Sequence, residues 1–169
     1  MLTDDAKTNE ITRTIIGAAI EVHRILGPGL LESVYLTCLE FELHERGLRF
    51  VVQRSIPITY KGKLLDGASY RVDLIVEEQV IVEVKSVAAI LPIHEAQALT
   101  YLRLTSCRIA LLINFNVPRL VDGVRRLINT RVPQITEITE TRPHHRDTEV
   151  QRTRREDGGS TGRPAQLAD

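Results

Sequence analysis

The segment Arg108–Phe115, with the sequence RIALLINF, is the feature that most constrains the fold of this chain. A strand with one solvated face alternates apolar and polar residues, whereas a nearly continuous apolar run is expected of a strand covered on both faces. Such a strand lies inside a sheet that carries helices on each side. The rest of the 169-residue chain is therefore expected to supply neighbouring strands and flanking helices.

Apolar periodicity assigns these elements along the chain. Helical spacing predicts helices at about Asn9–Leu26 with Asn9 as its cap, at about Leu31–Arg46, from Pro92 to about Thr105, and at Leu120–Asn129. A period of two predicts further strands at Phe50–Tyr60, Ser69–Val76 and Val80–Val87. The order α-α-β-β-β-α-β-α predicts an α/β fold in which helices flank a mixed sheet.

Composition divides the chain into three parts. From Arg142 to Asp169 only four residues are clearly apolar, so this segment buries too little surface to offset its ordering entropy. We predict a flexible N-terminus over residues 1–8, a folded domain over 9–141 and a disordered polar tail over 142–169. The N-terminus lacks signal-peptide features and no apolar run approaches the roughly 18 residues of a membrane span, so we expect a cytoplasmic protein.

The charge of the whole chain does not indicate a partner, because 22 Lys and Arg residues balance 22 Asp and Glu residues. The distribution is uneven, however, and residues 103–131 hold six Arg against one acid. Arg103, Arg125 and Arg126 are therefore candidates for contact with phosphates of a nucleic acid. A solvated helix surface explains any single one of them equally well.

The hairpin YRVDLIVEEQVIVEVKS carries the candidate chemistry. Glu83 and Lys85 are two residues apart, so both lie on the same face of their strand. A three-residue loop at 77–79 would pair Val76 with Val80 and set Asp73 opposite Glu83, with Cβ atoms about 5 Å apart. A two-residue loop would set Asp73 opposite a valine and separate the pair, so the site hypothesis requires an odd loop.

Two adjacent carboxylates repel each other, and a divalent cation such as Mg²⁺ or Mn²⁺ would compensate their charge. With Lys85 beside them, Asp73 and Glu83 are the parts needed for metal-assisted hydrolysis of a phosphodiester. The pattern is weak alone, and a solvated salt bridge on an ordinary hairpin explains it equally well. Glu32 is either a third acidic ligand or an acid favoured by a helix dipole. Gln97 and Tyr101 share one helix face.

Seven pieces of the sequence follow one another in a specific order: GPGLLESVY (27–35), ELHERGL (42–48), ITYKGKLL (58–65), YRVDLIV (70–76), VIVEVKS (80–86), HEAQALTYLRL (94–104) and ALLINF (110–115). Together they resemble the GxxExxY family, a branch of the PD-(D/E)XK nuclease superfamily, over residues 10–131. The resemblance implies a nuclease-like α/β core. Val72 stands where the superfamily often has Pro, which is a common departure.

The resemblance also implies roles for six residues: Glu32, Asp73 and Glu83 as metal ligands, Lys85 as the catalytic lysine, and Gln97 and Tyr101 as a Q-x-x-x-Y motif that supports the active site and contacts DNA. We therefore expect a Mg²⁺- or Mn²⁺-dependent nuclease that acts on DNA. The alternative is a catalytically silent module that binds nucleic acid or protein. A hydrolase with Glu32 and Glu83 as acid and base is disfavoured, because Lys85 would lower the pKa that a general acid needs raised. Small nuclease-like domains often form homodimers, and the sequence does not fix the oligomeric state.

Overall fold

A computed structural model of the chain describes residues 4–105 and 107–129. Two helices come first, followed by three strands, a third helix, a fourth strand, a 3₁₀ turn and a fifth strand. Their bounds are α1 Asp4–Leu26, α2 Glu32–Glu45, β1 Phe50–Tyr60, β2 Lys63–Val76, β3 Val80–Lys85, α3 Pro92–Leu104, β4 Ile109–Asn114, the 3₁₀ turn Leu120–Gly123 and β5 Val124–Ile128.

The five strands form one mixed sheet in the order β1-β2-β3-β4-β5. Strands β3 and β4 are parallel and connected through α3, whereas the other neighbouring pairs are antiparallel. Every residue of β4 is buried. The predicted α/β class and the predicted strand covered on both faces are therefore confirmed.

Helices cover both faces of the sheet. On the α1–α2 face, helix residues such as Ile15 and Leu39 pack against Val82 of β3 and Leu111 of β4. On the α3 face, Ala98, Tyr101 and Leu102 pack against Ile75, Ile81 and Ala110. Successive residues of a strand point to opposite faces, so Asp73, Glu83 and Lys85 share the α3 face with Ile75 and Ile81.

Helix α1 begins at Asp4, five residues before the predicted start at Asn9. Residues 4–8, expected to be flexible, thus belong to a helix. Thr8 is buried and its Oγ1 donates a hydrogen bond of 2.7 Å to Oε1 of Gln79 in the β2–β3 loop. Asn9 is not a cap, and its side chain accepts a hydrogen bond from Arg126.

The predicted last helix, Leu120–Asn129, is wrong. The segment forms the 3₁₀ turn and then β5, which pairs along β4 from Ile113↔Val124 to Ile109↔Ile128. A Cβ atom on Gly123 would lie 2.2 Å from the carbonyl oxygen of Asn114, so only glycine allows the chain to turn back this closely. Pairing supplies partners for the outer backbone groups of β4, which outweighs the helical spacing of the apolar residues.

Strands β1 and β2 extend beyond the rest of the sheet as a two-stranded arm, residues 54–71. Gln53, in β1, has a φ of 48°, which interrupts the regular strand at the base of this arm. Beyond it only Ile56 is buried, and this residue packs into the α3 cluster. The predicted tail at 142–169 and the C-terminal part of the predicted domain lie outside the described residues. No helix in the described ranges is both long and apolar enough to span a membrane.

Candidate active site

The β2–β3 hairpin has the register that the site hypothesis requires. Val76 pairs with Val80, and Leu74 pairs with Val82, across a three-residue loop. Glu77 and Glu78 in this loop have φ values of 49° and 57°, the left-handed conformation of a tight turn. One step further along the hairpin, the Asp73 amide donates a hydrogen bond of 3.3 Å to Oε1 of Glu83. The predicted odd loop is therefore confirmed.

Asp73, Glu83 and Lys85 form one polar cluster on the α3 face, beside apolar residues such as Ile75 and Ile81. The amide of Val84 donates a hydrogen bond of 2.9 Å to Oδ2 of Asp73. The Lys85 ammonium lies 3.4 Å from Oε2 of Glu83, and only 15% of the lysine side chain and 4% of the glutamate side chain are exposed. The cluster is thus largely withdrawn from water, where interactions between charges are stronger.

Burial and mutual repulsion disfavour two ionised carboxylates in this cluster. Burial, followed by the charge of Asp73, raises the pKa of Glu83 to about 7 even though Lys85 acts in the opposite direction. Burial also raises the pKa of Asp73, against the effects of the Val84 amide and Lys85. One ammonium therefore does not compensate the two carboxylates, and additional positive charge would stabilise their ionised forms.

A divalent cation fits this donor set. Carboxylate oxygens are the hard ligands that Mg²⁺ and Mn²⁺ prefer, and Mg²⁺ is commonly held by one or two carboxylates together with waters and substrate phosphates. Across residues 4–105 and 107–129, no group of three or more His, Cys, Asp or Glu side chains is placed to hold a metal ion. The structure thus brings together two of the three predicted ligands, Asp73 and Glu83.

Glu32, the third predicted ligand, lies near the pair but is engaged elsewhere. It is the first residue of α2, and its Oε1 accepts a hydrogen bond of 3.0 Å from the amide of Ser86, just after Lys85. Its negative charge contributes to raising the pKa of Asp73. The Ser86 hydroxyl donates a hydrogen bond of 2.6 Å to the carbonyl oxygen of Leu30. Glu32 therefore ties the start of α2 to the end of β3.

Tyr35 holds the loop that presents Glu32, a role that was not predicted from the sequence. Its hydroxyl donates a hydrogen bond of 2.6 Å to the Gly27 carbonyl and accepts one of 3.1 Å from the Leu30 amide. Its ring is buried and stacks on Phe115 at a centroid distance of 4.4 Å. Gly29, with a φ of 99°, allows the loop to turn. The spacing G-x-x-E-x-x-Y thus has a structural reason.

Gln97 and Tyr101 lie on the side of α3 that faces the cluster. Gln97 Nε2 donates a hydrogen bond of 2.5 Å to the Tyr101 hydroxyl. Burial, with a further contribution from the charge of Glu83, raises the pKa of Tyr101 to about 12. The Tyr101 ring also packs edge-on against Tyr70 at 5.5 Å. The tyrosine therefore stays neutral and forms one wall of the cluster.

Asn114 is a further polar residue of the site that was not predicted from the sequence. It pairs with Lys85 across β3 and β4 and is 2% exposed. Its amide group donates to the carbonyl of Val87 at 2.9 Å, and its Oδ1 accepts from the amides of Val87 and Asn116 at 3.1 and 3.2 Å. The signal in the sequence is that Asn114 is the only polar residue of a six-residue buried strand. It fixes the segment that follows Lys85.

The three predicted phosphate contacts lie in three different places. Arg125 pairs with Leu112, which pairs with Glu83, so Arg125 shares the α3 face two strands away from the carboxylates. Arg126 lies on the opposite face, where it donates a hydrogen bond of 2.8 Å to Asn9. Arg103 is exposed near the end of α3 and contacts Thr100. The structure brings none of them into direct contact with Glu83.

A family model of the PD-(D/E)XK nuclease superfamily matches residues 9–127, which is more than half of the chain. The chain therefore belongs to the PD-(D/E)XK nuclease superfamily. Neither a search of curated proteins nor a search of solved structures gave a match. Membership indicates nuclease-type chemistry, with nucleic acid as the class of partner, and it agrees with the mixed sheet and flanking helices.

Proposed function

We propose that the chain is a metal-dependent nuclease of the GxxExxY branch that hydrolyses phosphodiester bonds of DNA. The observation that carries the proposal is the buried cluster in which Asp73 and Glu83 lie side by side with Lys85 on one face of the sheet. Its uncompensated negative charge would suit a divalent cation, whereas a surface salt bridge would leave its carboxylates solvated.

In this proposal Asp73 and Glu83 hold Mg²⁺ or Mn²⁺. The ion supplies Lewis-acid chemistry, which polarises a phosphoryl oxygen and lowers the pKa of water. Lys85, held against Glu83 at 3.4 Å, places a positive charge where negative charge develops on the phosphate. Glu32 and Asn114 fix the backbone that follows Lys85, through hydrogen bonds to the amides of Ser86 and Val87. Gln97 and Tyr101 form one wall of the site.

The test is cleavage of linear, circular and single-stranded DNA by purified protein with Mg²⁺, with Mn²⁺ and with a chelator. We expect cleavage that requires the metal and falls by about 100-fold or more in Lys85→Ala, the range typical for loss of one group that stabilises charge in the transition state. Lys7→Ala, which removes an exposed lysine of α1, is the matched control and should cut like wild type. Equal cleavage by Lys85→Ala, or none by wild type, would contradict the proposal.

The same experiment separates catalysis from silent binding. A binding module would show salt-dependent affinity for DNA without turnover, and Asp73→Asn would leave that affinity unchanged. We further propose that the protein acts in the cytoplasm and that two copies pair to cut both strands. Sedimentation with and without duplex DNA tests the pairing, and a single monomeric species in both conditions would contradict it.

A further inference from the structure

The β1–β2 arm, residues 54–71, carries a net positive charge. It contains four cations and one acid: Arg54, Lys61, Lys63 and Arg71 against Asp66. None of the four cations forms an ion pair with any residue in the described ranges. Five arginines elsewhere in those ranges do, in the pairs Arg24–Glu21, Arg46–Glu42, Arg49–Glu77, Arg108–Asp5 and Arg119–Asp122.

The arm is also exposed on both of its faces. Its strands pair from Arg54↔Val72 to Tyr60↔Lys63 and close in a tight turn at Lys61 and Gly62, whose φ values are 49° and 74°. Of the 18 residues in the arm, 15 are exposed. A two-stranded hairpin alone is marginally stable in water, so this one depends on its base, where Ile56 packs against α3. Most of the surface of the arm is therefore not covered by the rest of the described chain.

The arm leads directly to the candidate active site. Strand β2 runs from the turn through Arg71 and reaches Asp73 two residues later. At the base of the arm, two cations, Arg54 and Arg103, and one acid, Glu78, line one cleft of about 550 Å³ between β1 and the end of α3. Cations therefore extend from the tip of the arm at Lys61 to the edge of the carboxylate cluster.

We propose that the β1–β2 arm is a DNA-binding ribbon that lies in the major groove of duplex DNA and guides the backbone toward Asp73 and Glu83. Guidance of the DNA backbone toward these two carboxylates rests on the proposed nuclease function. The major groove of B-form DNA is about 12 Å wide and admits a two-stranded ribbon, whereas the major groove of A-form RNA is too narrow for protein side chains. The cations of the arm complement the phosphates on both sides of such a groove.

The test is the salt dependence of binding to a labelled duplex, measured by fluorescence anisotropy in a chelator so that no cleavage occurs. Each phosphate contact contributes about 0.9 to the slope of log affinity against log salt concentration. The double variant Lys61→Ala/Lys63→Ala should therefore lower the slope by about 2 and weaken binding at about 100 mM salt by tenfold or more. Lys7→Ala/Arg13→Ala removes two exposed cations of α1 and should keep the wild-type slope. Lys61→Arg/Lys63→Arg should keep it too.

Three outcomes would overturn the inference. A wild-type slope in Lys61→Ala/Lys63→Ala would show that the arm does not contact phosphates. An equal loss of slope on single-stranded DNA or duplex RNA of the same sequence would contradict binding in the major groove. Self-association of the variant with an unchanged slope would mean that the lysines only protect an exposed sheet edge.

The outcomes for the arm and for catalysis are distinguishable. If wild type cuts DNA and Lys85→Ala does not, while the arm variant keeps the wild-type slope, the nuclease proposal stands and the arm inference fails. If the slope falls as expected and no metal supports cleavage, the ribbon binds DNA and the nuclease proposal fails.

Discussion

Replacing Glu83 with Gln is expected to stabilise the metal-free protein at pH 8. The carboxylate is 3% exposed and lies beside Asp73, so its ionised form is disfavoured in the folded state. Gln has nearly the same shape, and its amide oxygen can still accept a hydrogen bond from Lys85. The substitution thus removes the charge while keeping most of the packing.

The magnitude follows from the pKa of Glu83, which rises from 4.5 to about 7 on folding. Below pH 4.5 the group is protonated in both states, and above pH 7 it is ionised in both. Between these values the folded state binds more protons, so the stability of wild type relative to Glu83→Gln falls as the pH rises. Each tenfold difference in proton affinity between the two states corresponds to about 1.4 kcal/mol, so the loss is about 3 kcal/mol.

The assay is urea unfolding followed by circular dichroism from pH 5 to pH 8, in a chelator. Glu77→Gln is the control, because it is the same substitution in the same hairpin. Arg49 lowers the pKa of Glu77, so Glu77 is ionised in both states at neutral and alkaline pH. Its contribution to stability is lost only at lower pH. Glu77→Gln should have a lower free energy of unfolding than wild type, by an amount that does not change with pH. The difference in free energy of unfolding between Glu83→Gln and wild type should grow with pH. A flat Glu83→Gln difference, or a variant less stable than wild type at pH 8, would refute the reasoning.

Metal binding, the turn at Gly123 and the buried Asn114 each give a further prediction. Adding Mg²⁺ at pH 8 to a hundredfold excess over its dissociation constant should stabilise wild type by about 2.7 kcal/mol in urea unfolding and leave Glu83→Gln nearly unchanged; equal stabilisation of both would contradict the metal site. Gly123→Ala should lower the free energy of unfolding by about 3 kcal/mol, because its Cβ would lie 2.2 Å from a backbone oxygen. Gly17→Ala, with open space around it on α1, should raise the free energy of unfolding by up to about 1 kcal/mol. Similar urea midpoints for the two variants would contradict this prediction. Asn114→Ala should cost about 2–3 kcal/mol and speed hydrogen exchange at Val87 and Asn116, whose amides lose their acceptor; unchanged exchange at both would contradict it.

The register of the β2–β3 hairpin could be predicted from sequence, because the length of the loop determines which residues pair. Once the loop at 77–79 has three residues, the pairing of Val76 with Val80 places every residue that follows. The last element could not be predicted in this way. Leu120, Val124 and Leu127 have helical spacing, but the open edge of β4 and the close approach of Gly123 to Asn114 decide the outcome. Both are properties of the assembled sheet.

Only the part of the candidate site that depends on residues close together in the sequence could be predicted from local geometry. Alternation placed Glu83 and Lys85 on one face, and the resemblance assigned a role to Glu32. Neither shows that the Glu32 carboxylate accepts a hydrogen bond from the Ser86 amide, or that Asn114 accepts one from the amide of Val87. The first contact joins residues that are 54 positions apart in the sequence, and the second joins residues that are 27 positions apart. No local sequence pattern therefore contains them.

The two faces of strands β3 and β4 carry different kinds of side chain. Facing α1 and α2, both strands present only apolar side chains: Val80, Val82, Val84, Ile109, Leu111 and Ile113. Facing α3, the same strands present Glu83, Lys85 and Asn114. Truncating Leu111 should therefore lower stability equally at pH 5 and pH 8, because no titrating group lies on that face of β3 or β4. Changing Glu83 alters stability and its pH dependence together, since the buried charge that disfavours the metal-free fold is also what would bind the ion.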